Sequence, residues 1–185
     1  MVFITAGIHG SELSSQVAVL KLISYLENNP IKGTVHIIPF IQPKATASNV
    51  RNYNNVNLNS KANVPGTISN NVVELICSLK CDTYGDFHCT QPNGDPGKDV
   101  AMGSYSPLSE SAKIADFISK KTGYSKLIYD IAGQEYGGAM EDTVNLRGIP
   151  SVTCEVLTPH GTIAAGSVDK SFNMMKALLQ YNNLI

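Results

Sequence analysis

The stretch Val2-Phe3-Ile4-Thr5-Ala6-Gly7-Ile8-His9-Gly10-Ser11-Glu12 joins a largely apolar run to the start of an amphipathic helix. Residues 2–6 contain neither Gly nor Pro, which favours a strand buried on both faces. His9 and Glu12 follow at the strand-to-helix corner, three residues apart. Such a corner can aim an imidazole and a carboxylate at one point. We predict that a zinc ion binds at this point.

Helices and strands alternate along the rest of the chain. Apolar periodicity and turn residues predict helices over 11–28, 68–79, 107–121, 140–146 and 168–182, strands over 2–6, 34–41, 83–88, 126–131 and 151–156, and polar loops over 42–66 and 91–103. This alternation predicts an α/β fold, a three-layer α/β/α sandwich around a mostly parallel, mixed sheet.

The composition predicts one domain over residues 1–185, with 43% hydrophobic and 16% charged residues. A net charge of −1 without a basic run argues against nucleic acid or an anionic membrane as a partner. No segment approaches the roughly 20 apolar residues of a membrane span, and no signal-peptide pattern is present. We therefore expect a cytoplasmic protein, although the sequence is equally compatible with a domain of a longer one. The four cysteines lack CxxC spacing and are interpreted as free thiols.

A catalytic zinc ion needs a third protein ligand besides the two from the corner. We choose His88, because it follows Asp86 in a short apolar frame and Asp86 can support the imidazole. His36 is interpreted as an ordinary strand residue, and His160 as a loop residue that reaches at most the rim of the site. In parallel sheets, sites collect at the carboxyl ends of strands, where His88 and Glu155 are both predicted to lie.

Two further side chains are candidates for substrate binding. Tyr136 precedes the pair Gly137–Gly138, where a mobile loop can carry a phenol into the site. Two roles are open for Arg147: reaching the substrate pocket, or capping the C-terminus of the helix predicted over 140–146.

Three separated motifs resemble those of the zinc carboxypeptidase superfamily, most closely its succinylglutamate desuccinylase and aspartoacylase branch. Residues 6–12 resemble the first zinc motif, residues 86–88 resemble the motif of the third zinc ligand, and residues 150–156 resemble the strand that carries the catalytic glutamate. The motifs occur in the family's order. The resemblance implies a zinc carboxypeptidase-like fold, one Zn²⁺ per chain bound by His9, Glu12 and His88, and Glu155 as the catalytic residue.

The stretch 42–59 is similar to a family segment that carries an oxyanion-stabilising Arg and a substrate-binding Asn. The resemblance assigns these roles to Arg51 and Asn59; the alternative for Arg51 is an ordinary surface arginine. The family's Asp-x-Asn-Arg pattern is replaced by Asn57-Leu58-Asn59-Ser60, so the Arg that binds a substrate carboxylate is missing. Lys61 is the available cation, but a lysine does not reproduce the bidentate geometry of arginine.

The leading hypothesis is a zinc-dependent hydrolase that cleaves an amide bond, as a carboxypeptidase-like peptidase or an N-acyl amino acid deacylase. Glu155 would act as general base and then general acid toward a small-molecule or peptide substrate. One alternative is a cell-wall peptide hydrolase, whose substrate has an unusual acidic or isopeptide-linked end group. Another is a catalytically inactive metal- or peptide-binding domain of the same fold. The resemblance also leads us to expect no counterpart of the C-terminal domain of aspartoacylase-like proteins. Substrate identity and oligomeric state stay open.

Overall fold

The computed structural model describes residues 1–185 and contains six strands and six α-helices. In chain order these are β1 (Val2–Ala6), α1 (Leu13–Glu27), β2 (Val35–Ile38), α2 (Pro43–Ala47), α3 (Ile68–Ser78), β3 (Thr83–Thr90), β4 (Val100–Ser106), α4 (Glu110–Thr122), β5 (Ser125–Ile131), α5 (Met140–Leu146), β6 (Ser151–Leu157) and α6 (Ser167–Tyr181). Single 3₁₀ turns lie at Tyr53–Asn55 and Asn59–Lys61.

The strands form one sheet in the order β2-β1-β3-β6-β4-β5. Neighbouring strands are parallel except β4 and β6, which are antiparallel. Every residue of β1 is buried, as the apolar run at its start predicts. Pro39 follows β2, an edge strand, where a missing backbone N–H is tolerated. The mixed, mostly parallel sheet confirms the prediction from the sequence.

The helices form a layer on each face of the sheet. Helices α1, α4 and α6 pack against one face, where their apolar side chains form one core with alternate residues of β1, β3 and β6. Helices α3 and α5 cover the other face, where a smaller core surrounds Phe3 and Tyr84. The domain is thus a three-layer α/β/α sandwich, as predicted.

The strand β4 was not predicted, because most of it falls in the segment assigned to a loop over 91–103. The strand was assigned to a loop because a glycine among polar residues, here Gly103, is a sequence signal for a turn. In the structure a Cβ at this position would lie 2.5 Å from the carbonyl oxygen of Ser111, so glycine allows α4 to pack closely over the strand. The helix predicted from residue 107 begins at Glu110, because Ser106 still pairs with Ile131 of β5.

The loop predicted over 42–66 contains α2 and both 3₁₀ turns. All four cysteines are free, as predicted. Cys89 and Cys154 are buried in the larger core, behind the strand ends that carry His88 and Glu155. Cys81 lies after the end of α3.

Candidate functional site

Three adjacent parallel strands bring the candidate residues to one edge of the sheet. Strand β1 pairs with β3, and Thr5 is opposite Asp86. Strand β3 pairs in turn with β6, and His88 is opposite Glu155. The parallel register therefore places His88 and Glu155 side by side at the end of β1 that leads into the His9–Glu12 corner.

The corner itself is held by close backbone packing. Gly7 has a φ of +73°, which turns the chain out of β1. A Cβ on Gly10 would lie 2.1 Å from the carbonyl carbon of Ala45, so only glycine allows α2 to approach. The Gln16 side-chain amide donates hydrogen bonds of 3.1 and 3.0 Å to the carbonyl oxygens of His9 and Gly10. These contacts fix the directions of the His9 and Glu12 side chains.

His9, Glu12 and His88 form a buried cluster, each about 2% exposed. Their candidate ligand atoms all lie within 4.8 Å of one another. His9 Nδ1 is 2.7 Å from Glu12 Oε1, and His88 Nδ1 is 2.9 Å from Glu12 Oε2. The structure thus brings together the three residues predicted as metal ligands.

Outer hydrogen bonds assign the tautomers of both histidines. His9 Nε2 lies 3.0 Å from the side-chain oxygen of Asn57, and His88 Nε2 lies 2.9 Å from Asp86 Oδ2. Because both partners are acceptors, each Nε2 carries the proton. Asp86 is itself held by a 2.7 Å hydrogen bond from the Thr5 hydroxyl. The Nδ1 atoms of both rings consequently face Glu12.

Charge interactions inside the cluster shift the pKa values of Glu12 and His88. Burial alone would raise the pKa of Glu12, but the neighbouring His9 and His88 rings lower it well below its usual range. Burial disfavours protonation of His88, but the carboxylates of Asp86 and Glu12 raise its pKa well above normal. The cluster therefore favours an anionic Glu12 and a cation at His88 Nδ1. A proton and a metal ion compete for that position.

The donor set fits a zinc ion. His9 Nδ1 is buried and has no hydrogen-bond partner, although it lies only 2.7 Å from Glu12 Oε1. A buried nitrogen lone pair facing a carboxylate is unfavourable unless a cation lies between them. Two histidine nitrogens and a carboxylate are a ligand set typical of catalytic zinc.

Glu155 lines the cavity beside the cluster, together with His9 and His88. Its Oε2 atom is buried and has no hydrogen-bond partner. The pKa of Glu155 is raised to about 8, mainly by burial; His88 opposes this shift and Glu12 contributes to it. The residue is therefore an unpaired carboxyl group that can accept or release a proton near neutral pH.

Arg51 and Asn59 also line the cavity, which has a volume of about 220 Å³. The half-exposed Arg51 donates a hydrogen bond through Nη1 to Glu12 Oε1. Asn59 accepts a 3.2 Å hydrogen bond from the backbone N–H of Met140. Both residues thus lie at the cavity, and Asn59 in addition holds the start of α5.

The other three candidates differ in their placement. Tyr136 lines the cavity, and its hydroxyl donates a 2.8 Å hydrogen bond to Asp95. Lys61 is exposed and is not among the residues that line the cavity. Arg147 pairs on the surface with Glu74 through bonds of 2.7 and 3.1 Å. The structure brings neither Lys61 nor Arg147 to the site.

Several residues of the site were not predicted. Asn57 orients His9, and its only signal was its place in the segment that departs from the family pattern. Glu141 and Tyr129 line the cavity without any motif that marks them. Asp95, in the predicted loop over 91–103, lines the cavity as well. His160, expected at most on the rim, has its Nε2 atom 3.7 Å from Glu12 Oε1.

The fold and the His9–Glu12–His88 cluster define the class as α/β sandwich domains with a candidate metal site at the carboxyl ends of the strands. A sequence model of the succinylglutamate desuccinylase/aspartoacylase catalytic domain matches residues 1–181, and the chain belongs to this family. The resemblance stated from the motifs is thereby confirmed. No curated protein matched the sequence. None of the helices has the length and apolar character needed to cross a membrane.

Solved structures with the same fold cover the whole chain. A succinylglutamate desuccinylase/aspartoacylase from Rhodobacter sphaeroides is 18% identical with a TM-score of 0.77, and 56% of it is covered. The product-bound ectoine utilization protein EutE (DoeB) from Ruegeria pomeroyi is 18% identical with a TM-score of 0.78, and 57% is covered. The D,L-carboxypeptidase Csd4 from Helicobacter pylori, in its mDAP-bound form, is 13% identical with a TM-score of 0.75, and 51% is covered. The chain thus spans little more than half the length of these proteins.

Proposed function

We propose that this chain is a zinc-dependent hydrolase that cleaves an amide bond, as a carboxypeptidase-like peptidase or an N-acyl amino acid deacylase. The observation that carries the proposal is a buried His9–Glu12–His88 cluster whose ligand atoms converge beside the unpaired carboxyl group of Glu155. Membership of a family named for amide-cleaving enzymes supports the same reaction.

A bound zinc ion supplies Lewis acidity, which lowers the pKa of a water molecule and polarises a substrate carbonyl. Within the chain, Glu155 takes the proton of the attacking water and delivers it to the leaving nitrogen. A pKa of about 8, caused mainly by burial, suits both roles because the group exchanges its proton near neutral pH. Asn57 and Asp86 hold the two imidazoles in the tautomer that binds a cation through Nδ1.

Arg51 is assigned to the developing oxyanion. Its Nη1 atom is bonded to Glu12, and the side chain lines the cavity, where its remaining N–H groups can donate to an anionic oxygen. A well-placed donor of this kind contributes roughly 3 kcal/mol to transition-state stabilisation. Asn59 and Tyr136, which also line the cavity, are assigned to substrate binding.

One alternative is that the same reaction cleaves a cell-wall peptide. The other is that the chain has no catalytic activity and only binds a metal ion or a peptide. A panel of N-acyl amino acids and wall-derived peptides separates the first from the leading proposal. The inactive domain predicts that no amide in the panel is hydrolysed by protein that retains its metal.

The test of the general base is Glu155→Gln in the zinc-loaded protein. We expect unchanged zinc content and a loss of kcat by about 10²- to 10⁴-fold, because the amide cannot accept the proton. The matched control is Glu27→Gln, which changes an exposed glutamate in the same way and should keep full activity. Full turnover by Glu155→Gln would overturn the assignment.

A further inference from the structure

We propose that the cavity contains a cation subsite in which Glu141, with Tyr129, Tyr136 and Asp95, binds an ammonium or guanidinium group of the substrate. This inference rests on the proposed function, since it specifies the substrate class of the same site. The substrate is then an N-acyl or peptide derivative of a basic amino acid or a diamine.

The first observation is a buried carboxyl group without a cationic partner. Glu141 lines the cavity but is only 7% exposed. It takes part in none of the ion pairs of the chain. Burial raises the pKa of Glu141 well above its usual range, and the nearby carboxylates of Asp142 and Asp86 raise it further. A buried carboxylate is unfavourable unless it is paired, and a substrate cation in the cavity supplies that pair.

The second observation is that Glu141 is held in a fixed position. It lies in the first turn of α5, directly after Met140, whose backbone N–H donates to Asn59. The preceding Gly138 accepts a 3.0 Å hydrogen bond from the N–H of Ala62. A Cβ on Gly138 would lie 2.7 Å from the carbonyl oxygen of Ser60, so the two segments are in close contact. The backbone that carries Glu141 is therefore held in place beside the cavity.

The third observation is an aromatic and acidic wall. The rings of Tyr129 and Tyr136 are 5.8 Å apart and nearly perpendicular. The Tyr136 hydroxyl donates a hydrogen bond to Asp95, which restrains the ring where it lines the cavity. Asp95 and Glu141 line the same cavity as the two tyrosines, which places these side chains in one neighbourhood. Aromatic faces and carboxylates are the groups that recognise organic cations.

The charges of the lining residues agree with this assignment. Three carboxyl groups line the cavity, on Asp95, Glu141 and Glu155, whereas Arg51 is the one Lys or Arg side chain among the lining residues. Arg51 is bonded to Glu12 on the zinc-cluster side. Ser60 lines the cavity where the family pattern has an arginine. The charges of the lining residues therefore disfavour a substrate side chain that carries a carboxylate and favour one that carries a cation.

The test compares three Nα-acetyl amino acids as substrates of the zinc-loaded protein. The lysine derivative has a cationic side chain, the norleucine derivative a neutral one and the glutamate derivative an anionic one. We expect kcat/KM for the lysine derivative to exceed that for norleucine by at least about tenfold, as a buried charged hydrogen bond implies. In Glu141→Gln this ratio should fall toward one. Glu27→Gln, which changes an exposed glutamate of α1 that does not line the cavity, should keep the ratio.

A binding measurement separates the subsite from the catalytic proposal. Calorimetric titration with free L-lysine and L-norleucine needs no turnover, and lysine should bind at least about tenfold more tightly. If no substrate is hydrolysed but lysine binds in a Glu141-dependent manner, the proposed function fails and the subsite stands. Equal binding of the two amino acids, or a preference that survives Glu141→Gln, would overturn the subsite. Tyr136→Phe removes the hydrogen bond to Asp95 and should weaken the preference for lysine in part. This variant provides the test if Glu141→Gln does not fold.

Discussion

The substitution Glu155→Gln should stabilise the metal-free protein at alkaline pH. Burial raises the pKa of Glu155 to about 8 from an ordinary value of 4.5. Below pH 4.5 the carboxyl group is neutral in both the folded and the unfolded chain. As the pH rises from 4.5 to 8, the unfolded chain releases the proton and the folded chain retains it, so stability falls. Above pH 8 the folded state contains an unpaired carboxylate with one buried oxygen, Oε2, and the loss of stability is complete.

The magnitude follows from the same values. At about 1.4 kcal/mol for each pKa unit, the difference between 8 and 4.5 sets an upper limit of about 5 kcal/mol. Local relaxation and water in the open cavity reduce this penalty, so we expect about 2 kcal/mol, or about 4–8 °C in Tm for a chain of this size. A glutamine has nearly the same shape and no charge to bury.

The assay is thermal unfolding of the chelator-treated protein, followed by circular dichroism at pH 5 and pH 9. Glu155→Gln should raise Tm at pH 9 and leave it nearly unchanged at pH 5. Glu27→Gln is the control, because this exposed side chain should shift Tm at neither pH. Equal Tm values for wild type and Glu155→Gln at pH 9 would refute the claim that Glu155 is an unpaired carboxyl group with a raised pKa.

Three other substitutions probe the surroundings of the site. Asn57→Leu removes the acceptor that orients His9 and should weaken zinc affinity by about 10-fold or more, measured by competition with a chromophoric chelator. Gly10→Ala places a methyl group against the α2 backbone and should lower the free energy of unfolding by about 1–3 kcal/mol, measured by urea denaturation. Arg147→Ala breaks only an exposed pair with Glu74, so it should change stability by at most about 1 kcal/mol and leave KM unaltered.

Each of these substitutions has a matched control or a contradicting result. Asn57→Asp restores an acceptor, so zinc affinity should recover; a loss as large as in Asn57→Leu would show that Asn57 does not act through hydrogen bonding. Gly137→Ala adds the same methyl group where the nearest atom is 3.4 Å away, and it should be nearly neutral. A large rise in KM for Arg147→Ala would place this side chain in the substrate pocket after all.

Much of the fold could be predicted because its elements carry local signals. The corner between β1 and α1 was predictable because His9 and Glu12 are close in sequence and follow a buried strand. His88 and Glu155 were predictable as neighbours because parallel strands end at one edge of the sheet. The strand β4 was missed because Gly103 is required by packing against α4, and that contact has no signal within the segment itself.

The parts of the site that escaped prediction depend on contacts between distant segments. Asn57 is 48 residues from His9, and nothing in either segment specifies that the two side chains meet. Glu141 lies in a short helix whose start is held by Asn59, 81 residues before Met140 in sequence. Residues of this kind are identified only when the tertiary structure shows which charges are buried and which have partners.

The central claim is that His9, Glu12 and His88 bind a catalytic zinc ion. The most direct measurement is the zinc content of purified wild type, His9→Ala and His88→Ala, determined by inductively coupled plasma mass spectrometry. Circular dichroism confirms that each variant is folded. His36→Ala changes a histidine on the edge strand β2 and is the control. We predict one zinc ion per chain in wild type and His36→Ala, and almost none in the other two variants. Full zinc content in folded His9→Ala or His88→Ala would contradict the account.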